Sequence, residues 1–211
     1  MKKIVILGAG FGGLRAALVL GRGITRLGLE KSYEVVLVDR NAYHTYTPLL
    51  YEVATTSKET ANLCALKELV TYNIRHILRG FPITFREARV TGLDLVEGVV
   101  SLDSETFQPA YLVLALGSET NFFDIPGLKE RALTLKTFTD AIKLRDTVWN
   151  LASLGNQNIK ILIGGGGATG VELASELKVW CGELERDFRK CNLDVTIVEA
   201  GQSVLADYNP R

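Results

Sequence analysis

Three glycines spaced as Gly8-x-Gly10-x-x-Gly13 can wrap a main chain around a diphosphate. Gly8 permits the tight turn, Gly10 lets phosphate oxygens approach the backbone, and Gly13 lets a following helix lie against the preceding strand. A helix that starts here points unpaired N–H groups and its positive dipole end at the phosphates. The chemistry also needs an acid for the ribose hydroxyls. Asp39 ends the next apolar run, further past Gly13 than the roughly 20 residues usual for such an acid, as the long 21–31 connection requires. The same set recurs as Gly165-x-Gly167-x-x-Gly170, followed by Glu199. The run Gly164 to Gly167 allows a one-residue slip, and the frame ending at Gly170 is preferred because the helical pattern begins there. Ala200, Gly201 and Gln202 follow Glu199, with no Arg to meet a 2′-phosphate, so NADH is expected over NADPH. Two such sites in one chain imply a relay, with a flavin held at one and a nicotinamide donating hydride from the other.

The elements that must position these residues can be read from periodicity. Lys3 to Leu7 is a continuously apolar strand of the kind buried on both faces, and a helical stretch through Leu14, Ala17, Leu18 and Leu20 follows the glycines. Val35 to Val38 is the second strand. In the later repeat Ile159 to Ile163 is the strand, Val171 to about Leu184 the helix, and Val195 to Val198 the next strand. Between the repeats, 48–77 reads as mostly helical. Residues 83–103, with Glu97-Gly98 between two β-branched runs, read as a small antiparallel meander. Tyr111 to Ala115 reads as another buried strand, closed by Gly117. The turn-rich stretch 121–127 marks a passage between domains. Residues 139–154 read as a helix with Lys143, Arg145 and Asp146 on its wet face. The expected fold class is α/β: two Rossmann-like dinucleotide-binding folds, with the meander in the first. Residues 1–123 form one domain and 124–211 the other. The second shows two strands where about three are needed, so it is expected to be incomplete at Arg211.

Composition agrees. The 211 residues carry 24 Lys+Arg against 24 Asp+Glu, so the chain lacks the field that gathers polyanions, and no nucleic-acid partner is expected. Hydrophobic residues at 47% and charged residues at 23% exclude disorder. No apolar run approaches the roughly 18 residues of a membrane span, and no leader precedes Ile4. Cys64, Cys181 and Cys191 have no CxxC spacing, which argues against a disulfide framework, a zinc site or a dithiol redox centre and fits a reducing compartment.

More specific runs are present. Asp39-Arg40-Asn41-Ala42-Tyr43-His44, followed by Thr47-Pro48-Leu49-Leu50-Tyr51-Glu52-Val53-Ala54-Thr55, resembles the second-strand end and following helix of type II NADH dehydrogenases, the single-subunit NADH:quinone oxidoreductases. Tyr111 to Ser118, Asn121 to Gly127, Leu135-Lys136-Thr137 and Ala168-Thr169-Gly170-Val171-Glu172-Leu173-Ala174 extend the resemblance over essentially the whole chain, about the first half of such a protein. It implies FAD in the first site, with Gly8, Gly10, Phe11, Gly12 and Gly13 around the pyrophosphate and Asp39 on the adenosine ribose beside Arg40. Pro48 and Leu49 are implied near the isoalloxazine and the Val90 backbone near the adenine. Ala115 and Gly117 fall on the second FAD contact, where Leu116 replaces a Thr. NADH is implied on Gly165, Gly166, Gly167, Ala168, Thr169, Gly170 and Glu199. Glu172 is implied near nicotinamide and flavin, handling hydride and proton; a carboxylate screened from water there would have a raised pKa. The plainer reading of Glu172 is an acid in the first helical turn, complementing the dipole.

The implied activity is electron transfer from NADH through FAD to a membrane quinone. The protein would lie in the cytoplasm, peripheral on the inner face of the cell membrane through a C-terminal part beyond this sequence, with a homodimer among the arrangements left open. A soluble NAD(P)H-dependent flavin reductase with a protein or disulfide acceptor is one rival, and a non-catalytic nucleotide-binding fragment is another. Disulfide reductase and sulfide:quinone oxidoreductase activities are disfavoured by the lack of paired cysteines. The remaining residues have plain readings. His44 and His76 are too far apart for a metal site, and Cys64 is a small core residue. Cys181 and Cys191 stay unpaired across the charged 183–190 stretch, and 55–59 is a helix end. Tyr43, Tyr46 and Tyr51 pack or flank the flavin.

Overall fold

A computed structural model describes residues 1–58, 62–154, 158–188 and 191–206. The expectations that touch Glu59, Lys190 and Arg211 lie outside the described residues. In chain order come β1 (Lys2–Leu7), α1 (Phe11–Leu27), β2 (Tyr33–Asp39), β3 (Tyr43–Thr45), a 3₁₀ turn (Thr47–Leu49), α2 (Leu50–Thr55) and α3 (Leu63–Val70). Next are β4 (Thr71–Asn73), α4 (Ile74–Ile77), β5 (Ile83–Glu87), β6 (Val90–Asp94), β7 (Val99–Leu102), β8 (Thr106–Phe107) and β9 (Tyr111–Leu114). The last are α5 (Leu128–Arg131), α6 (Phe138–Ser153), β10 (Asn158–Gly164), α7 (Ala168–Phe188) and β11 (Asn192–Val198). They group into two compact units, one of Met1–Thr45 with Thr71–Glu119, the other of Tyr46–Val70 with Thr120–Arg211.

The first unit is built on a parallel sheet of order β5-β2-β1-β9. The continuous apolar runs of β1 and β2 are explained by cover on both faces. Ile4, Ile6, Val35 and Leu37 pack with Ala17 and Ile24 of α1, while Val5, Leu7, Val36 and Val38 pack with Val100, Leu102 and Phe107 of the antiparallel β6-β7-β8 meander. Burying each such aliphatic side chain contributes roughly 1.5–3 kcal/mol. A side-chain cap on α1 would add about 1 kcal/mol and is absent. Packing of the strand faces therefore holds the first glycine turn in place.

Three expectations change in this unit. Residues 83–87 leave the meander and pair in parallel with β2, Val35 opposite Ile83. Residues 71–73, read as helical, form β4 and pair antiparallel with β3, His44 opposite Tyr72. The 111–115 strand is half exposed, with Tyr111 and Leu114 open to solvent, because it stands at the sheet edge.

The second unit takes in 46–70 because α2 and α3 carry an apolar stripe. Leu50, Val53 and Ala54, at i, i+3 and i+4, join Leu66 and Val70 in one cluster with Ala141, Val148, Leu173, Leu177 and Trp180. Cys64 lies off the Leu66/Val70 stripe of α3 and is exposed rather than in the core. β10 and β11 run parallel, Ile159 opposite Leu193 and Gly164 opposite Val198. Their burial alternates, with Leu162 and Val198 exposed, unlike the fully buried strands expected. α6 starts in a capping box in which the Thr137 hydroxyl accepts the Asp140 N–H at 3.1 Å and Asp140 accepts the Thr137 N–H at 2.9 Å. Arg145, expected on the wet face, is 4% exposed. It reaches Asp146 at 3.1 Å, and Asp146 meets Lys58 at 3.2 Å.

Candidate functional site

The first glycine turn divides into two kinds of position. Gly8 has φ +99°, and a Cβ there would lie 2.2 Å from the Ala115 carbonyl oxygen; a Cβ on Gly13 would lie 1.8 Å from the Gly8 oxygen. Neither position can carry a side chain, because strand, turn and helix pack through them. Gly10 and Gly12 differ, since a Cβ at either would meet nothing within 4 Å. These two face open space at the start of α1, whose first turn carries no acid and no capping side chain. The helix end is thus left for an anion. Helix α1 begins at Phe11, inside the motif, and α7 at Ala168 rather than Val171. Apolar periodicity cannot register a first turn made of glycines.

The second turn repeats this construction in its own unit. Gly165 has φ +108°, and a Cβ on Gly170 would lie 2.0 Å from the Gly165 oxygen, while Gly167 faces open space. The backbone adopts the frame Gly165, Gly167, Gly170. A Cβ on Gly166 would meet the Val204 side chain at 2.8 Å, so Val204 would have to shift to admit it.

In both units the acid at the strand end is tied to the turn. Asp39 Oδ2 accepts the Ala9 N–H at 2.7 Å, and Oδ1 accepts the Asn41 N–H at 2.8 Å. Glu199 Oε2 accepts the Gly166 N–H at 2.6 Å, and Oε1 accepts the Gly201 N–H at 2.8 Å. Donation first from Gly201 and then from Gly166 holds the Glu199 carboxyl below its ordinary pKa of 4.5. Each carboxylate keeps lone pairs for ribose hydroxyls, since a carboxylate offers about four acceptor sites.

The sequence reading missed His44. It is buried, and its Nδ1–H donates to the Ala9 carbonyl at 3.0 Å, which leaves Nε2 as the acceptor nitrogen. Its ring meets Phe11 edge-on at 4.8 Å between centroids. Ala9 is therefore held at both its N–H and its C=O. No local spacing marks His44, because pairing across β3 and β4 places it.

An open cavity of about 590 Å³ lies at the carboxyl ends of β2 and β5, lined by Arg40, Arg75, Arg86 and Arg89 against Glu87 and Asp103. Val90 follows it at the start of β6. Ala115 backs the turn, its N–H donating to the Leu7 carbonyl at 2.8 Å, and Gly117 has φ +78°. The structure thus gathers Gly8, Gly10, Phe11, Gly12, Gly13, Asp39, Arg40, Val90, Ala115 and Gly117 in the first unit. Gly165, Gly166, Gly167, Ala168, Thr169, Gly170, Glu172 and Glu199 fall in the second, together with Pro48 and Leu49 of the 3₁₀ turn.

Glu172 is exposed rather than screened from water, and it lies just past the first turn of α7, which holds no acid. Burial first, then the carboxylates of Glu52, Glu172 and Glu176, push the Tyr51 hydroxyl above its usual pKa of 10.0. Cys181 and Cys191, expected to stay unpaired, are free thiols whose sulfurs lie 3.7 Å from each other. Among the described residues no group of three His, Cys, Asp or Glu side chains could hold a metal ion.

The open glycines, the helix ends free of acids and the tied carboxylates fit two dinucleotides, one per unit. Comparison with known proteins agrees. The pyridine nucleotide-disulphide oxidoreductase family model matches residues 2–211. The chain is 35% identical to demethylphylloquinone reductase NdbB of Synechocystis, over 97% of this chain and 48% of that protein. It is 31% identical to the type II NADH:quinone oxidoreductase of Haemophilus influenzae, over 97% of this chain and 52% of that one. It spans about half the length of these relatives. In fold it matches NDH2 from Plasmodium falciparum solved with NADH, at TM-score 0.80 and 24% identity over 99% of this chain and 44% of that one.

Proposed function

Because the chain belongs to the pyridine nucleotide-disulphide oxidoreductase family, we propose that its first cradle holds FAD, its second admits NADH, and it works in an NADH:quinone oxidoreductase. The observation that carries this reading is the duplicated tether, Asp39 to Ala9 and Glu199 to Gly166. One unit with one tether would serve an ordinary dehydrogenase; two serve a relay. FAD, once bound, supplies the two-electron acceptor for the NADH hydride and the donor to the quinone.

The chain's own residues do the rest. Gly10 and Gly12 leave room for the diphosphate of FAD, and the α1 N–H groups face it. Asp39 takes the adenosine ribose, and Arg40 flanks the adenine with Val90. Ala115 and Gly117 close the second contact. Gly167, Ala168 and Thr169 receive the NADH diphosphate, and Glu199 binds the ribose and repels a 2′-phosphate. Quinone as acceptor is supported by the names of the relatives. Among the described residues no helix is long and apolar enough to cross a membrane. Peripheral attachment at the inner face of the cell membrane belongs to the proposal and is carried by the quinone named in the relatives.

The test is the visible spectrum of the purified protein, then NADH addition under nitrogen. A flavin spectrum that bleaches with NADH and recovers with a soluble quinone supports the reading. A protein that stays colourless after FAD is supplied overturns it, and bleaching reversed only by a protein or disulfide acceptor moves it to a flavin reductase.

A further inference from the structure

Cys181 lies two-thirds of the way along α7, and Cys191 immediately precedes β11. Ten residues separate them in sequence, yet the Cys181 Sγ lies 3.7 Å from the Cys191 Sγ and donates to the Cys191 carbonyl at 3.3 Å. Both are free thiols and half-buried, open to a small oxidant and shielded from a protein one. Cys64 differs, exposed on α3 with no thiol beside it among the described residues. Neither cysteine touches the cradles described above. At 1.5 Å per residue, Cys181 stands about 20 Å along α7 from Ala168.

We propose that Cys181 and Cys191 form a dithiol site that closes to an intrachain disulfide when a hydroperoxide reaches it. A bond needs the sulfurs at roughly 2.05 Å. Closing from 3.7 Å brings the sulfurs together by about 1.7 Å. Burial first, then the hydrogen bond with Cys181, push the Cys191 thiol up to about 12, so Cys191 stays protonated at neutral pH, and the same disulfide results whichever sulfur attacks first. The Cys181 sulfur attacks the peroxide, the O–O bond breaks, and an alcohol, or water from hydrogen peroxide, leaves with the thiol proton. Cys181 is then a sulfenic acid. The Cys191 sulfur attacks it, the S–O bond breaks, and hydroxide leaves with the Cys191 proton as water. Two thiols are oxidised by two electrons and one peroxide is reduced. The product joins the far half of α7 to the start of β11, away from the nucleotide end.

The experiment uses the whole purified chain, reduced and then exposed to a slight molar excess of hydrogen peroxide at pH 8. Thiols are counted in denaturant, and the intact mass and tryptic map are recorded. Expected are a fall from three thiols to one, a loss of 2 Da, a cross-linked peptide containing Cys181 and Cys191, and full reversal by dithiothreitol. Cys64→Ser should behave identically apart from its missing thiol, and Cys181→Ser should lose the cross-link. The wild-type mass map decides the matter even if Cys181→Ser fails to fold. Three thiols retained, a gain of 16 or 32 Da, or cross-linking through Cys64 would overturn the proposal. The readout is independent of bound flavin, so its failure and that of the functional reading are separable.

Discussion

Asp39 reaches back across the sheet end to Ala9, its Oδ2 accepting the Ala9 N–H at 2.7 Å. The acid usually credited to the ribose is therefore also a strut of the turn that faces the diphosphate. Asp39→Ala removes the acceptor for both the Ala9 and the Asn41 N–H groups. Leaving partly buried donors unpaired costs about 1–3 kcal/mol. The unfolding free energy from urea titration should fall by that amount, lowering the midpoint, and the flavin-to-protein absorbance ratio should fall with it. A lost flavin with an unmoved midpoint would show that Asp39 serves the ligand alone.

The glycines should separate by role. Gly13→Ala places a Cβ 1.8 Å from the Gly8 oxygen, so strand or helix must shift, at roughly 2 kcal/mol or more. Gly12→Ala meets nothing within 4 Å and sits inside α1, where Ala is favoured over Gly by about 0.5–1 kcal/mol. The expected pair of outcomes is a destabilised Gly13→Ala and a Gly12→Ala that is as stable as wild type or more so, yet retains less flavin. Thermal melts and flavin content read both. Equal stability losses would show that Gly12 is a packing residue too.

The glycine turns, their flanking strands and the two strand-end acids were legible because each depends on local chemistry: spacing, apolar continuity and a carboxylate at a run's end. What escaped depends on distant partners. β5 reads like the meander strands, and only its pairing with β2 separates it from them. The helical reading of 48–77 holds over Leu50–Thr55, Leu63–Val70 and Ile74–Ile77, yet nothing local says which unit the apolar stripe of the first two will cover. Arg145 reads as a solvent-facing residue, yet it is buried in the fold. His44 requires two elements far apart in sequence to meet, and the Cys181–Cys191 contact requires α7 to lie beside β11.

The Glu199 tether carries a pH signature. Its folded pKa is lowered below 4.5, first by the Gly201 N–H and then by Gly166. The tether is therefore complete above 4.5 and is lost as pH falls through the lower, folded value. Affinity for ADP-ribose, measured by calorimetry, should stay level from pH 7 to pH 5 and weaken only below 4.5. Glu199→Gln should bind more weakly at pH 7, with no change of slope near the carboxylate range. A decline already under way between pH 6 and 5 would assign the dependence to another group.

Glu172 is the sharpest test of the relay. It stands exposed just past the first turn of α7, with Glu176 one turn on, and both carboxylates raise the Tyr51 hydroxyl. Two acids at i and i+4 repel each other by a few tenths of a kcal/mol, so an acid kept here does not serve the stability of α7. Glu172→Gln should leave the melt unchanged or slightly raised, keep the flavin ratio, and move the Tyr51 titration down towards 10.0. If the carboxylate handles the proton that accompanies hydride transfer, NADH:quinone turnover should fall at least tenfold, about 1.4 kcal/mol of barrier. Stopped-flow bleaching by NADH and steady-state quinone reduction then locate the loss in the reductive or the oxidative half-reaction. Turnover within twofold of wild type, with the Tyr51 titration lowered, would leave Glu172 as a solvated acid whose only reach is electrostatic.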